Sequence, residues 1–402
     1  MERHPLTILH TSDWHIGRTL YGRRRHETFA AFLDWLTETL RERRVDVLVV
    51  AGDVFDTSSP SNQAQELYYN FLYRSMHLCR HIVIVAGNHD SPSFLTAPQG
   101  LLRALNVHVV GTIDDPETLV LRDSAGEPEL VVCAVPYLRD RDIRTVVPGE
   151  SIEDKERQLV EGIRRHYQSI AEQAETLRVS PDLPVLATGH LFAAGGQTTD
   201  GDGVRQLYVG SLAQIGADCF PETFDYLALG HLHLPQKIGG SETRRYSGAP
   251  IPMGFGERGG KSVCLVSFTG RQASVDCLPV PTFQALERIE GPWEPLEARL
   301  KELATPLAGT TPWLEIVYTG NEIIPDLRER IEALVQGTGM EILRIRNARA
   351  VHQVLEREQD TLDALDVYEV FERCLAAHDV PEEQRPGLRL AYRETVISLQ
   401  EE

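Results

Sequence analysis

Side chains of the kinds that bind metal ions follow several short apolar runs of this sequence. The whole set consists of Asp13 and His15 in TSDWHIG, Asp53 and Asp56 in AGDVFDTSS, Asn88, His89 and Asp90 in AGNHDS, His190 in TGHLF, and His231 and His233 in ALGHLHLPQ. Turn chemistry accounts for any one of these clusters, because Gly, Asn and Asp commonly follow a strand. It does not account for the four histidines (His15, His190, His231 and His233) that join two aspartates and an asparagine across the five places.

Imidazole, carboxylate and amide oxygen together make a mixed nitrogen and oxygen donor set. Such a set suits manganese, iron or zinc better than calcium. The clusters hold more donors than one ion can use, and two ions about 3.5–4 Å apart need a carboxylate that gives one oxygen to each. Asp53 is the expected bridge.

The elements that must position these side chains are short strands that alternate with helical patterns, as in a layered α/β fold. Helices are predicted over 26–43, 61–78 and from 151 onward. Strands are predicted over 6–12, 45–50, 81–86, 107–110, 130–135, 183–188, 226–230 and 262–268. Each polar cluster then falls at the carboxyl end of a strand, where open α/β sheets build their sites.

The motif set D-x-H-x-G, G-D-x-x-D, G-N-H-D, G-H and G-H-x-H resembles that of the calcineurin-like metallophosphoesterases. Three longer segments resemble more narrowly the bacterial SbcD-type nuclease subunits, relatives of the double-strand-break repair nucleases of archaea and eukaryotes. They are GDVFDTSSPS, YVGSLAQI over 208–215 and YSGAPIPMGFGE over 246–257. The resemblance covers essentially the whole chain and is loosest in the tail. It implies a layered β-sandwich flanked by helices, a small α+β capping domain and a C-terminal helical tail.

The resemblance also implies a role for each residue of the motifs. One ion would be held by Asp13, His15, Asp53 and His233, and the other by Asp53, Asn88, His190 and His231. Manganese is the ion that the family prefers, with magnesium, iron or zinc as alternatives. His89 is expected to meet the scissile phosphate as an acid or as a charge stabiliser, or else only to orient its neighbours. Asp90 is expected to fix the tautomer of His89, and Asp56 to support the loop without a catalytic role.

The implied function is that of the nuclease component of an SbcC–SbcD-type complex in DNA repair and recombination. It would hydrolyse DNA phosphodiesters at duplex ends and hairpins by in-line attack, with both ions holding the attacking and leaving oxygens. One alternative is another calcineurin-like phosphatase or phosphodiesterase with a small substrate, which has no use for a capping unit and a docking tail. Another is a non-catalytic adaptor, although such proteins typically lose ligands.

The net charge of −19 argues against a general nucleic-acid coat, so DNA contact should be local. The segment RTLYGRRRH offers such a basic patch, and the predicted DNA-binding residues are Arg18, Arg23, Arg24 and Arg25; a solvated helix start is the alternative. The segment GFGERGGKS has Phe255 where a phosphate-binding loop needs glycine, and it runs into a strand. The chain is therefore expected to bind no ATP, and the implied coiled-coil ATPase partner SbcC would supply that activity.

The prolines of CLPVPTF predict a boundary after a nuclease domain over 1–278. A β-α-β unit over 284–347 would cap the DNA-facing cleft, and the tail over 348–402 would dock on the ATPase. Residues 351–402 hold 13 acidic side chains against 5 arginines. The helix over 61–78, with its apolar residues Leu67, Phe71, Leu72 and Met76, would contribute to a homodimer within a heterotetramer, or would pack on its own sheet.

Location and redox state can also be predicted from the residues. No apolar stretch approaches the roughly 18 residues that span a bilayer, and the first residues do not resemble a signal peptide. The expected location is the cytoplasm, without a membrane partner. Six cysteines without a C-x-x-C pair are expected to be reduced core thiols.

Overall fold

The computed structural model describes residues 5–144, 150–193, 215–257, 259–304, 311–320, 322 and 324–348, and seven residues of the C-terminal part (371, 372, 375, 385, 388, 389 and 392). Most of the segment 208–215 and of the tail therefore lies outside the described residues. The chain divides into two compact units, one made of Met1–Arg288 with Ala308–Leu314 and the other of Ile289–Leu307 with Glu315–Glu402. The boundaries 1–278, 284–347 and 348–402 stay predictions.

The first unit contains the strands and helices expected around the polar clusters, together with short strands that the sequence did not predict. In chain order they are β1 (Leu6–Thr11), β2 (Thr19–Leu20), β3 (Arg23–Arg24), α1 (His26–Glu42), β4 (Val47–Ala51), α2 (Asn62–Ser75), β5 (His81–Val85), α3 (Pro92–Thr96), α4 (Gln99–Arg103), β6 (Val107–Val110), β7 (Thr118–Arg122), β8 (Pro128–Cys133), α5 (Asp140–Ile143), α6 (Ile152–Leu177), β9 (Val185–His190), β10 (Tyr226–Gly230), β11 (Gln236–Lys237), β12 (Arg244–Tyr246), β13 (Ser262–Thr269) and β14 (Gln272–Pro279).

Two six-stranded sheets form the centre of this unit, with strand orders β14-β13-β1-β4-β5-β6 and β11-β12-β10-β9-β8-β7. An apolar layer with Ile8, Val49, Leu186 and Ala228 lies between the sheets. Helices α1 and α2 cover the outer face of the first sheet, and α6 packs on the second. The prediction of a layered α/β sandwich flanked by helices is confirmed. The five polar clusters, however, belong to two sheets and not to one edge of a single sheet.

Helix α2 begins where a serine caps it, since the Ser61 side chain accepts a hydrogen bond from the Ala64 amide at 3.3 Å. Its apolar residues Phe71 and Leu72 are buried in the core of their own domain. Of the two interpretations of this helix, Phe71 and Leu72 follow the one in which the apolar stripe packs on its own sheet, and a contribution of the helix to a dimer stays a prediction.

The second unit is organised around a three-stranded sheet. Its elements are β15 (Leu286–Gly291), α7 (Trp293–Leu303), β16 (Trp313–Tyr318), α8 (Leu327–Val335) and β17 (Glu341–Asn347), with strand order β15-β16-β17. The first residues of β15 and β16 are counted with the first unit in the division given above. All six residues of β16 are buried, as expected for a central strand. Among the described residues of both units, no helix is long and apolar enough to span a membrane.

Candidate metal centre

The polar clusters lie at the carboxyl ends of five strands, three from the first sheet and two from the second. Strands β1, β4 and β5 lead into the loops that carry Asp13, Asp53 and Asn88, and β9 and β10 end next to the clustered histidines. The β1 and β4 loops are joined by backbone hydrogen bonds from the Asp13 amide to the Gly52 carbonyl and from the His15 amide to the Asp53 carbonyl, both at 3.0 Å. These bonds hold the two loops in register beyond the ends of their strands.

Four of the predicted ligands have a left-handed backbone. The φ angles are 53° at Asp13, 49° at His15, 51° at Asp53 and 103° at His231. Residues other than glycine adopt positive φ uncommonly, and such residues concentrate at functional sites. The backbone therefore bends at these positions in a way that turns the side chains toward one another.

Three glycines let the loops approach one another more closely than any side chain would allow. A Cβ atom on Gly230 would lie 1.9 Å from the Ala51 carbonyl oxygen, on the facing sheet. On Gly87 it would lie 2.2 Å from Asp53 Oδ1, and on Gly52, whose φ is +89°, 2.3 Å from His190 Nδ1. The convergence of the clusters thus depends on glycine at each of these contacts.

Asp53 lies at the centre of the cluster, and its two carboxylate oxygens have different partners. Oδ2 lies 3.5 Å from His15 Nε2 and 3.3 Å from His190 Nε2, between imidazoles of the two sheets. Oδ1 accepts a hydrogen bond from the backbone amide of His89 at 2.9 Å. The His89 amide therefore positions Oδ1, and Oδ2 lies between the imidazole nitrogens of His15 and His190.

On one side of Asp53, ligand atoms of Asp13, His15 and His233 lie within 4.8 Å of one another. The Nε2 atoms of His15 and His233 are only 3.2 Å apart. All three residues are buried.

On the other side, ligand atoms of Asp53, His190 and His231 form a second group within the same limit. Asn88 Oδ1 lies 3.0 Å from His190 Nε2 and 3.2 Å from His231 Nδ1. The structure thus brings together all seven residues that the sequence predicted as ligands, as two groups on either side of one carboxylate.

The far nitrogens of two of these imidazoles lie next to oxygen atoms that orient the rings. His190 Nδ1 lies 3.0 Å from the Ala51 carbonyl, an acceptor, and His15 Nδ1 lies 3.3 Å from Asp56 Oδ1. When Nδ1 carries the proton, Nε2 has its lone pair directed at the cluster, the arrangement that metal-binding histidines commonly use. Asp56 therefore supports His15, in line with its predicted supporting role.

The electrostatics of the cluster favour a bound cation. Although burial opposes it, the Asp53 carboxylate raises the pKa of His190 to about 9. Burial lowers the pKa of His231 to about 3, and it holds the pKa of His233 well below its usual range, with His15 acting in the same direction. The cluster thus contains a buried carboxylate that attracts positive charge and two imidazoles held in the neutral form that can bind a metal, and its nitrogen and oxygen donors fit divalent ions of the manganese, iron or zinc kind.

The structure corrects the partner predicted for His89. Asp90 Oδ2 accepts hydrogen bonds from the amides of Val54 and Gly87, at 3.1 and 2.9 Å, and Oδ1 accepts one from the Phe55 amide at 2.9 Å. This carboxylate therefore ties the β4 loop to the β5 loop. His89 Nδ1 instead lies 2.9 Å from the backbone carbonyl of Asp56.

The four arginines of the predicted basic patch have different surroundings. Arg23 and Arg24 are exposed on β3, which pairs with β2 in a small hairpin. Arg18 is half-buried, with its guanidinium 3.3 Å from Asp56 Oδ1. Arg25 is 2% exposed, donates to the Pro252 carbonyl and lies over the Phe29 ring, so the prediction that it contacts DNA is wrong.

The sequence did not predict the residues that form hydrogen bonds with the ligand residues. Ser12 Oγ donates to Asp13 Oδ2 at 2.6 Å and lies 2.8 Å from Ser247 Oγ. Lys261 Nζ donates to the backbone carbonyl of His233 at 3.1 Å. The signal that could have identified them is their place in or next to the segments TSDWHIG and YSGAPIPMGFGE.

Comparisons with known proteins identify similar chains. The family model for calcineurin-like phosphoesterases matches residues 6–235, and the model described as the Type 5 capsule protein repressor C-terminal domain matches residues 282–379. The SbcD chain of the nuclease SbcCD from Escherichia coli (strain K12) is 38% identical over 399 residues, 98% of each chain. The protein of the same name from Rhodobacter capsulatus is 34% identical, over 86% of this chain and 89% of its own. That from Bacillus subtilis is 37% identical, over 65% of this chain and 66% of its own.

Proposed function

The chain belongs to the calcineurin-like phosphoesterase family and, within it, to the SbcD-type nucleases, and from this premise we propose that it cuts DNA phosphodiesters with two manganese ions. It is a metal-dependent nuclease. The observation that carries the two-ion proposal is the position of Asp53 Oδ2, between imidazole nitrogens 3.5 and 3.3 Å away on opposite sides. A carboxylate in this position can serve two ions from one side chain.

The proposed ligands divide into two sets that share Asp53. Asp13, His15, Asp53 and His233 would hold one ion, and Asp53, Asn88, His190 and His231 would hold the other. When bound, the ions neutralise the phosphodiester charge and acidify a water molecule. The residues on this chain position the donors, and the buried setting strengthens their electrostatic interactions.

His89 is the proposed catalytic residue beside the ligands. Its ring lies against that of His15, with centroids 4.7 Å apart, and one of its ring nitrogens lies within 4.8 Å of ligand atoms of His15 and Asp53. Because Nδ1 faces the Asp56 carbonyl, Nε2 is the nitrogen proposed to hold a proton near the leaving oxygen. Asp90 acts by holding the loop that carries His89 and Asn88.

DNA duplex ends and hairpins are the proposed substrates, and the β2–β3 hairpin is the proposed local contact. Arg23 and Arg24 are exposed there, next to the half-exposed Tyr21 ring, which stacks on Phe255 with centroids 5.9 Å apart. Arginine side chains bind backbone phosphates, and aromatic rings offer a stacking surface for bases. A local basic surface of this kind is compatible with the strongly acidic total charge.

The partner is proposed to be a coiled-coil ATPase that docks on the C-terminal helices, with the nuclease as a homodimer in the assembly. The relatives carry the name of one component of the nuclease SbcCD, which implies a complex with at least one other chain. In the described part of the tail, the rings of Phe371 and Tyr392 stack with centroids 4.0 Å apart, and Arg389 pairs with Glu372 at 2.7 Å. These contacts support a helical pair. The unit over 284–347 is proposed to contact the DNA. The proposed location is the cytoplasm, where a bacterial DNA substrate is found.

The first experiment measures manganese bound per chain by calorimetry, together with cleavage of a linear duplex with and without the ATPase partner. We expect two ions per wild-type chain and one or none for Asp53→Asn. His89→Ala should keep both ions and lose cleavage by about 10²–10⁴-fold. His77→Ala, at a histidine beyond the end of α2, is the matched control and should change neither.

The same preparation separates the rival functions. Turnover of a chromogenic phosphodiester with no cleavage of duplex DNA in the complex would favour a small-molecule phosphodiesterase. Fewer than two bound ions with no cleavage of either substrate would favour an adaptor and would refute the two-ion proposal.

A further inference from the structure

Two cysteines lie opposite each other on the last two strands of the first sheet. Strands β13 and β14 are antiparallel, and Cys264 and Cys277 are partners in their register. Residues directly opposite on such strands have Cβ atoms about 4.5–5.5 Å apart and point to the same face. The register places the two thiols close enough for each to shift the pKa of the other, so only a small adjustment separates them from disulfide geometry.

The two thiols differ in exposure. Cys264 is fully buried in the apolar layer between the sheets, whereas Cys277 is exposed on β14. Among the described cysteines, the other three (Cys79, Cys133 and Cys219) are buried and lie outside this pair. Cys277 therefore does not fit the prediction of a core thiol, and it is the thiol of the pair that solvent and small oxidants can reach.

A positively charged side chain of the second sheet contacts Cys277. Arg245, on β12, donates from Nη2 to Cys277 Sγ at 3.0 Å, and its side chain is largely buried. The neighbouring Cys264 thiol and the Arg245 guanidinium lower the pKa of Cys277 to about 6, with Lys237 acting in the same direction and burial and Glu242 opposing it. A thiol beside a guanidinium is the environment in which reactive cysteines occur.

We propose that Cys277 and Cys264 form a peroxide-oxidisable dithiol, with Cys277 as the reactive thiol and Cys264 as the resolving thiol. A metal site is the other use for paired cysteines. Among the described residues, however, neither cysteine belongs to a group of three or more potential ligands. Disulfides in reducing compartments are usually transient and regulatory, which fits an exposed thiol with a neighbouring resolving cysteine.

The oxidation has two steps. The Cys277 thiolate attacks one oxygen of hydrogen peroxide, the O–O bond breaks, and the departing hydroxide takes a proton from solvent, which leaves a sulfenic acid and water. Cys264 Sγ then attacks the Cys277 sulfur. The S–S bond forms as the S–O bond breaks, and the leaving hydroxide departs as water with the proton of the Cys264 thiol. The two sulfurs lose two electrons, and the peroxide is reduced to two waters.

The experiment treats the reduced full-length chain with hydrogen peroxide in a chelator, blocks the remaining thiols with N-ethylmaleimide and digests with trypsin. The expected product is a cross-link between the peptides over 262–271 and 272–288, which contain Cys264 and Cys277. Cys264→Ala should prevent the cross-link and leave a sulfenic acid on Cys277 that dimedone traps. Cys79→Ala is the matched control and should cross-link like the wild type.

The pH dependence of alkylation tests reactivity without any oxidant, and so it does not depend on the stability of the disulfide. The rate for Cys277 in the wild type should reach half its maximum near pH 6, because its pKa is lowered to about 6. Arg245→Gln should move this midpoint toward the value of about 8.5 for an ordinary thiol. The proposal is wrong if peroxide leaves both thiols open to alkylation, if the cross-link joins other cysteines, or if the wild-type midpoint lies near the ordinary value of about 8.5.

Discussion

Substitution of Gly230 by alanine tests whether the metal centre depends on the close approach of the two sheets. The added Cβ would lie 1.9 Å from the Ala51 carbonyl oxygen and 2.9 Å from His190 Nδ1. Ordinary van der Waals contact needs 3.4 Å or more, so the backbone of β10 or β4 must move by more than an ångström. Neither contact atom is the end of a flexible side chain that could simply turn away.

The expected loss follows from two effects at this contact. Overpacking of a closed interior costs about 1–3 kcal/mol. The hydrogen bond between His190 Nδ1 and the Ala51 carbonyl, now 3.0 Å, would be broken or lengthened, which costs about 1 kcal/mol more. The free energy of unfolding should therefore fall by about 2–4 kcal/mol. Since His231 follows Gly230 directly, the second ligand set should open and its ion should be lost first.

The assay combines denaturant unfolding of the metal-free chain with calorimetric titration of manganese. Gly100→Ala, in helix α4, is the matched control, since a Cβ there meets nothing within 4 Å. That change should stabilise the helix by about 0.5–1 kcal/mol and leave two ions bound. The reasoning is refuted if Gly230→Ala unfolds at the wild-type denaturant concentration and still binds two ions.

The remaining predictions concern residues around the ligands. Asp56→Asn should weaken manganese binding by about 10–100-fold in calorimetry, because His15 loses the charged acceptor of its Nδ1 proton; unchanged affinity would contradict this. Arg24→Ala should weaken DNA binding in a salt titration and reduce the salt slope by about 1, with thermal stability unchanged. Arg25→Ala should instead lower thermal stability, since that side chain is buried, and a pure DNA-binding defect would reverse the assignment. Asp90→Asn should cost about 1–3 kcal/mol in denaturant unfolding, because its amide would face a backbone amide; loss of cleavage at full stability would restore the catalytic role predicted from the sequence.

The sequence was sufficient to predict that the five clusters meet, because parallel strands bring their carboxyl ends to one side. It could not indicate that β9 and β10 form a separate sheet from β4, since an apolar strand looks the same in either sheet. The contact between the sheets is seen in the structure, where Gly230 lies against Ala51 and Gly52 lies against His190. A glycine after a strand is equally common in ordinary turns.

The wrong predictions have a shared physical cause, which is that sequence proximity does not determine the direction of a side chain. Arg25 is adjacent to Arg24, but the chain passes from a strand into helix α1 between them, so one guanidinium is exposed and the other is buried. Asp90 is adjacent to His89, yet its carboxylate accepts hydrogen bonds from the amides of Val54 and Phe55 in the neighbouring loop and of Gly87 in its own loop. Buried backbone amides need hydrogen-bond acceptors, so the Asp90 carboxylate binds these amides and does not pair with the adjacent His89 side chain.

The backbone and the side chain of His89 serve different parts of the site, which is what makes this residue informative. Its amide donates to Asp53 Oδ1 and so fixes the carboxylate that would bridge the ions, whereas its ring contacts the Asp56 carbonyl through Nδ1. Removal of the ring leaves the amide in place, because Asp90 anchors the loop through other hydrogen bonds. A cleavage defect in His89→Ala with both ions still bound can therefore be assigned to the imidazole, and not to collapse of the bridge. Loss of an ion in that variant would show that the ring itself helps to hold the ligand sets together.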